Sequence, residues 1–431
     1  MNPNKVFKRY DIRGKYPLEI NEEFSKKLGK AVGSYVLRNN GNRVVVSRDN
    51  RECSVNVKEP FLKGLRATGV NIVDIGEGPT DRLALGAKMY RGVGVQITAS
   101  HLSWDKTGFK LVYTRGNGFD NEDLDEVKKI FIDEDFKSYN DSFEVDESFE
   151  FDETYEEEMV NYFDGLNGKG QRVVLDASGG PAKEFAKSIM EKMGFQVSVI
   201  ERENPDPCPD PQKRKDVIKK VNEEDAILGI VFDPDADRVY IVHPEKGWID
   251  GNSVIYTLIK LKDAEKVAVS VDSAEFIEET GADISYSRVG DIFVSKKGVD
   301  VEAEILGEPN GHYALTDFCW YNSGILVGAY IANNYAEFEK VLEEVPQHVT
   351  VEKTIKTPSE ASKKRKMDKA MKMAPRDYNI INTIDGVKFY GEGFTSLVRP
   401  SGTSNKIRIT VHGENETRVE EAAEEIYSEL S

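Results

Sequence analysis

Short runs of β-branched residues alternate with longer amphipathic stretches along most of the chain. Val44-Val-Val-Ser-Arg-Asp49, Val173-Val-Leu-Asp176 and Val267-Ala-Val-Ser-Val-Asp272 are apolar runs that end in Asp. Each precedes a helical pattern, over Val55 to Thr68, Pro181 to Met193 and Ala274 to Thr280. A glycine near each helix end then opens a second strand: Gly69 to Ile75, Gly194 to Ile200, Gly281 to Tyr286. A further mostly helical stretch leads to a third: Gly92 to Ile97, Ala226 to Phe232, Val301 to Leu306. Near-continuous apolar strands separated by helices predict largely parallel sheets made of βαβ units. The recurrence predicts three related α/β domains with parallel or mixed sheets.

After Pro346 the pattern changes. Val349 to Lys356 alternates as a strand does, and Ser359 to Met373 reads as a basic helix. Strands over Gly386 to Tyr390, Phe394 to Arg399 and Ile407 to His412 follow, then a helix over Thr417 to Leu430. This predicts a smaller C-terminal α+β domain with antiparallel character. The expected domains are 1–147, 148–247, 248–347 and 348–431, disposed around a central cleft. Asp133 to Glu158 is dense in acid and reads as a solvated linker, with one edge strand carried by Phe143, Val145, Phe149 and Phe151.

The third strand of each repeat runs into an unusual loop: Thr98-Ala-Ser-His101, Asp233-Pro-Asp-Ala-Asp-Arg238 and Gly307-Glu-Pro-Asn-Gly-His312. Ligands of open α/β sheets bind at the carboxyl ends of strands, so three such loops predict one shared site.

Composition narrows the classes. With 58 basic and 76 acidic residues the net charge is −18, which disfavours nucleic acid and anionic membranes as partners. The run Lys363-Lys-Arg-Lys366, without interleaved aromatics, is therefore read as a solvated helix face. The longest apolar runs, such as Gly324 to Ala332, are too short to span a bilayer. Cys53, Cys208 and Cys319 are odd in number and widely spaced, which suggests reduced thiols, a cytoplasmic setting and no zinc site. A length of 431 residues suits several domains, in a monomer or small homo-oligomer.

Asp233, Asp235 and Asp237 place carboxylates at alternate positions after a buried strand. An all-oxygen donor set favours a hard cation such as Mg²⁺. A calcium EF-hand is excluded, because Arg238 and Pro244 stand where that loop needs Gly and Glu. Arg238 beside the metal would suit a phosphate. Arg399-Pro-Ser-Gly-Thr403 offers a guanidinium, two hydroxyls and turn amides, a cradle for phosphate. Glu308 and Asn310, between glycines, suit vicinal sugar hydroxyls. Arg9, Tyr10 and Arg13 precede the first helix and can approach a phosphate. A strand followed by Asp-x-Asp also opens Mg²⁺ phosphatases with Asp233 as nucleophile, and a non-catalytic phosphosugar-binding protein is a further alternative.

Taken together and in this order, the segments resemble the α-D-phosphohexomutase superfamily, which includes phosphomannomutase/phosphoglucomutase and phosphoglucosamine mutase. Asp176-Ala-Ser-Gly-Gly-Pro-Ala182, Asn204-Pro-Asp-Pro-Cys-Pro-Asp-Pro211, Val289-Gly-Asp291 and Asp385-Gly386 extend the resemblance over essentially the whole chain. It implies a phosphoserine at Ser100, with Mg²⁺ held by Ser100, Asp233, Asp235 and Asp237. His101, Lys110, Arg238 and Arg13 would surround the transferred phosphoryl group. Glu308, Asn310 and His312 would read the sugar, and Arg399, Ser401, Gly402 and Thr403 would hold its other phosphate. The substrates would be hexose 1- and 6-phosphates, of mannose or glucose first and glucosamine as the alternative, with a hexose 1,6-bisphosphate as activator. Lys110, crowded by cations, would have a lowered pKa and serve as general acid/base.

The chain also departs from the family pattern. Leu102-Ser103 follows His101, which makes Ser103 a second candidate nucleophile. Pro234 and Ala236 replace glycines in the metal loop and predict negative φ there. No lysine follows the first strand of the third repeat, so that phosphate contact is expected to be missing or supplied elsewhere.

Overall fold

The computed structural model describes residues 3–8, 11–139, 143–203, 206–402 and 404–431. Arg9, Tyr10, Thr403 and the Asn204-Pro205 pair lie outside the described residues.

Four sheets follow one another along the chain. The repeat seen in the sequence is a repeat of topology. In the first sheet the strands Lys106–Val112, Val93–Ile97, Arg43–Arg48 and Asn71–Glu77 lie side by side in that order, flanked by Ile12–Lys15 and Glu144–Asp146. In the second, Val239–His243, Leu228–Phe232, Arg172–Asp176 and Gln196–Val199 take the same order, with Gly247–Trp248 added at one edge. In the third, Tyr313–Leu315, Ile305–Gly307, Lys266–Ser270 and Asp283–Ser287 repeat it again. The inner strands pair in parallel, and the strand after the third one always returns antiparallel to it. Each unusual loop is therefore a hairpin connection at a strand's carboxyl end. That fixes all three loops at equivalent points.

The fourth sheet is wholly antiparallel: Val349–Lys356, Lys406–Gly413, Phe394–Pro400, Val387–Gly391 and Asn379–Asn382. The helices Glu360–Asp377 and Glu416–Leu430 cover it and close a separate apolar core that includes Phe389, Val398 and Ile426.

The first three sheets share one core. Val45, Val173 and Val267, one from the first strand of each repeat, belong to the same buried cluster. The helix Gly324–Asn333 follows the third sheet in the chain and packs on the second as well as on Tyr313–Leu315 of the third. Gly328 permits this contact, since a Cβ there would come within 2.7 Å of Ile230. Among the described residues no helix is long and apolar enough to cross a membrane.

Several expected elements change. The Asp133 to Glu158 stretch is not a solvated linker. Glu144–Asp146 is the edge strand, and Ser148–Asn161 is a helix. Phe151, Tyr155 and Met159 recur at intervals of four and are buried, which outweighs the shorter alternation of Phe143 and Val145. Glu275–Thr280 is a 3₁₀ helix, ended by Gly281 at φ +86°. The expected strand from Val301 begins only at Ile305, because the helix Asp291–Val301 runs on and turns at left-handed Glu302.

Candidate active site

Ser100 lies three residues beyond the strand Val93–Ile97 and adopts φ +51°. Its N–H donates to Thr98 Oγ1 at 2.9 Å. Its hydroxyl donates to Asp233 Oδ2 at 3.0 Å and lies 3.3 Å from His101 Nδ1. Ser103 points elsewhere, donating to Asp105 Oδ1 at 2.7 Å on the exposed side of the loop.

Asp233, Asp235 and Asp237 are all buried, and a carboxylate oxygen from each lies within 4.8 Å of the others. The loop that carries them turns at Ala236, whose φ of +51° contradicts the expected negative value. The left-handed turn costs about 1–2 kcal/mol for a non-glycine residue. It is held by Ala236 N–H donating to Asp233 O at 3.0 Å and by Gly324 N–H donating to Ala236 O at 2.9 Å. The first domain also grips the loop: Thr80 donates from its amide to Asp235 O at 2.9 Å and from its hydroxyl to Asp235 Oδ2 at 3.0 Å. Among the described residues Asp235 Oδ1 and Asp237 Oδ1 have no hydrogen-bond partner. Asp237 Oδ1 has His312 Nε2 near it, at 3.4 Å, so three buried carboxylates, one with an orphaned oxygen, beside a hydroxyl fit a hard divalent cation.

Lys110 Nζ donates to Asp235 Oδ2 at 2.8 Å and also pairs with Asp237. Burial favours its neutral amine, but Asp235 and Asp237 outweigh burial and hold the ammonium well above its usual range. Burial likewise pushes Asp233 well above the carboxylate range, helped by Asp237 and Asp235. His101 is pushed down to about 2 by burial and by Arg238 and Arg13, so it is neutral at working pH.

Above the triad opens a cavity of about 450 Å³. Arg13, Ser100 and His101 from the first domain border it with Arg238 from the second. The third contributes Glu308, Asn310 and His312, and the fourth Arg399, Ser401 and Gly402. Every described residue expected at the site thus lines this cavity or lies in the carboxylate cluster of its floor. Arg13 is braced by Asp11 at 2.7 Å. Arg238 Nε donates to His312 Nε2 at 3.2 Å. Glu308 is buried and occupied: Oε1 accepts from Gly290 N–H at 2.8 Å and Oε2 lies 3.1 Å from His312 Nδ1.

The cavity also takes in Asp291, from the Val289-Gly-Asp291 motif, and Lys8, Asp11, Lys106 and Arg408, which no motif marks. Arg408 could have been found from its strand pattern, which sets it against Arg399. In the Lys363 run, Lys364 and Arg365 are exposed as expected, and Lys363 and Lys366 are not. Lys363 Nζ donates to Ser401 O at 3.1 Å and Ser404 O at 3.2 Å, and Lys366 to Leu430 O at 2.5 Å, so these lysines tie backbone together rather than face solvent. In the third repeat, Lys388 from the fourth domain enters the loop after the first strand, donating to Val271 O at 2.9 Å and Ser273 O at 2.8 Å.

The chain is similar to known proteins along its whole length. Family models for phosphoglucomutase/phosphomannomutase match in sequence order: α/β/α domain I over residues 4–138, domain II over 151–247, domain III over 250–351 and the C-terminal domain over 337–429. A probable phosphoglucosamine mutase of Methanopyrus kandleri is 30% identical over 98% of this chain and 96% of its own. The fold matches a phosphoglucomutase/phosphomannomutase family protein of Burkholderia thailandensis with a TM-score of 0.88, at 23% identity over 100% of this chain and 97% of that one. It also matches Aspergillus fumigatus N-acetylphosphoglucosamine mutase, solved with GlcNAc-6P and magnesium, with a TM-score of 0.61 at 11% identity over 98% and 95%. Four matched domains in order, a relative of equal extent and one cleft built from all four sheets establish that the chain belongs to the phosphoglucomutase/phosphomannomutase family of the α-D-phosphohexomutase superfamily, whose members are intramolecular phosphotransferases.

Proposed function

We propose that this enzyme interconverts glucosamine 1-phosphate and glucosamine 6-phosphate through a phosphoserine at Ser100. The observation that carries the serine mechanism is the Ser100 hydroxyl, 3.0 Å from a buried carboxylate at the point where the cleft meets the triad. The sugar assignment replaces the mannose or glucose expectation. It rests on the whole-length relatives, named probable phosphoglucosamine mutases, at 27–30% identity. It is supported by Asp291 on the cavity wall, a carboxylate suited to an ammonium group.

In the forward step the P–O bond to Ser100 Oγ breaks as one forms to the free hydroxyl of the bound sugar phosphate. Ser100 Oγ takes up a proton as it leaves, balancing the one that the sugar hydroxyl gives up. The bisphosphate reverses in the cleft, and its other phosphoryl group returns to Ser100 Oγ. Arg399, Ser401, Gly402 and Thr403 would hold the phosphate that is not reacting. Arg13, Arg238 and Lys110 would balance charge around the one that is, the dominant demand of phosphoryl transfer. His101, 3.3 Å from Ser100 Oγ, would orient the oxygen that gains and loses the phosphoryl group. Mg²⁺ held by Asp233, Asp235, Asp237 and Ser100 would neutralise the phosphoryl oxygens. A hexose 1,6-bisphosphate would restore the phosphoenzyme. A reducing cytoplasm suits the three unpaired cysteines, and either a monomer or a small homo-oligomer suits a cleft built within one chain.

Asp233 as a phosphatase nucleophile is the weaker reading. Both of its oxygens are engaged, one by Ser100 and one by Arg238 N–H at 3.1 Å. The deciding assay offers glucosamine, glucose and mannose 1-phosphates with Mg²⁺ and a trace of bisphosphate, with Ser100→Ala as control. Glucosamine 6-phosphate formed fastest, and lost in the variant, is the expected result. Free phosphate released equally by both proteins would overturn the serine mechanism.

A further inference from the structure

Arg51 stands two residues after the Asp that ends the first strand of the first repeat, and its residue is only 1% exposed. It does not line the substrate cleft. Its Nε donates to Asp49 Oδ2 at 3.0 Å, and its backbone N–H to Asp49 Oδ1 at 3.1 Å. One terminal nitrogen donates to Ser103 O at 2.8 Å and Lys106 O at 3.4 Å. The other donates to the carbonyl oxygen of Ser100 itself. The indole of Trp104 lies against the guanidinium at 4.7 Å. One side chain thus ties down three carbonyls of the hairpin that carries the candidate nucleophile.

The need for this is conformational. Ser100 has φ +51°, which the chain adopts only where its surroundings over-determine it. Its N–H is fixed by Thr98, and its carbonyl by Arg51. Released from Arg51, the peptide is free to relax toward negative φ, and the side chain would swing away from Asp233. A lysine at this position would keep the charge beside Asp49, but an ammonium cannot present the planar fork that reaches Asp49 and three carbonyls together.

From this geometry we infer that Arg51 is a positioning residue for phosphoryl transfer, acting through the carbonyl of Ser100 and not on the substrate. The inference rests on the phosphoserine reading. In that reading sugar and distal phosphate are met by residues of the third and fourth sheets, none of which Arg51 touches. Transfer depends on Arg51, since misplacing a reacting atom by about 1 Å costs on the order of 100-fold in rate.

The test compares wild type, Arg51→Lys and Arg51→Ala as full-length proteins. It reads kcat, KM, thermal melting and phosphate on Ser100 by intact mass. Arg51→Lys is expected to lose about 100-fold in kcat, with KM within about 2-fold and little change in melting. Millimolar guanidinium is expected to restore part of the activity of Arg51→Ala. Wild-type kcat in Arg51→Lys would overturn the inference, as would a loss spread equally over kcat, KM and melting with no rescue. A wild-type protein that is inactive and never phosphorylated would sink the phosphoserine reading itself, and the inference with it.

Discussion

Arg399 and Arg408 are direct register partners on adjacent antiparallel strands, and both border the cleft. Like charges set opposite each other in a sheet are unfavourable. Arg399 Nε is also buried without a hydrogen-bond partner among the described residues. An anion between the two guanidinium groups resolves both costs. Arg408→Gln should therefore raise KM for a sugar phosphate by about 10- to 100-fold, the worth of one charge-assisted hydrogen bond, and change kcat less. Steady-state kinetics at two ionic strengths would check this, because the variant should also lose part of the salt dependence.

Divalent cation should stabilise the fold through the triad. With Mg²⁺ at about 100 times its dissociation constant, linkage gives about 2.7 kcal/mol. Melting in Mg²⁺ should exceed melting in chelator for the wild type. The difference should vanish in Asp235→Ala, which removes an orphaned oxygen and a partner of Lys110. An unchanged difference in that variant would place the cation elsewhere.

His412 gives the contact between the third and fourth domains a pH dependence. It donates from Nε2 to Asp272 O at 3.0 Å and faces Thr350 at 2.9 Å. Burial pushes its pKa down to about 4, with Glu275 opposing and Lys388 assisting. The undocked form takes up a proton near 6.5 and the docked form only near 4, so docking is fully stable above pH 6.5 and weakens as pH falls toward 4. Across that window the loss should be about 3 kcal/mol. Small-angle scattering against pH should show the particle expanding on the acid side, and His412→Asn should flatten the curve.

Lys388 is the other fastening of the same interface, paired with Glu275 at 2.5 Å and almost fully buried. Removing one partner of such a pair costs about 3–5 kcal/mol, because the other is left uncompensated. Lys388→Met should lower the melting temperature and raise KM, since the loop of Arg399 would lose its reference. Lys388→Met with Glu275→Leu should recover part of the stability, measured by calorimetry.

The repeat was legible because β-branched runs and the loops after them carry strong local patterns. The antiparallel returns Val239–His243 and Tyr313–Leu315 were not, since short buried strands lack alternation. Ser148–Asn161 was missed because Phe143, Val145, Phe149 and Phe151 imitate period two, while the winning spacing was Phe151, Tyr155, Met159. Most candidate site residues were visible as side chains with chemistry of their own. Arg51, Lys363 and Lys388 were not, for one reason: each ends on main-chain carbonyls, and a carbonyl leaves no trace in a sequence.

The position of Gly324–Asn333 has a consequence for synthesis. Its residues come about 80 positions after the last strand of the sheet it covers. A ribosome adding about 5–20 residues per second exposes the strands Leu228–Phe232 and Val239–His243 for several seconds before their covering helix exists. For that interval the nascent second domain carries an open apolar face. Chaperone capture of stalled chains should therefore be strongest when they end between His243 and Ser323, and fall once Asn333 has cleared the exit tunnel.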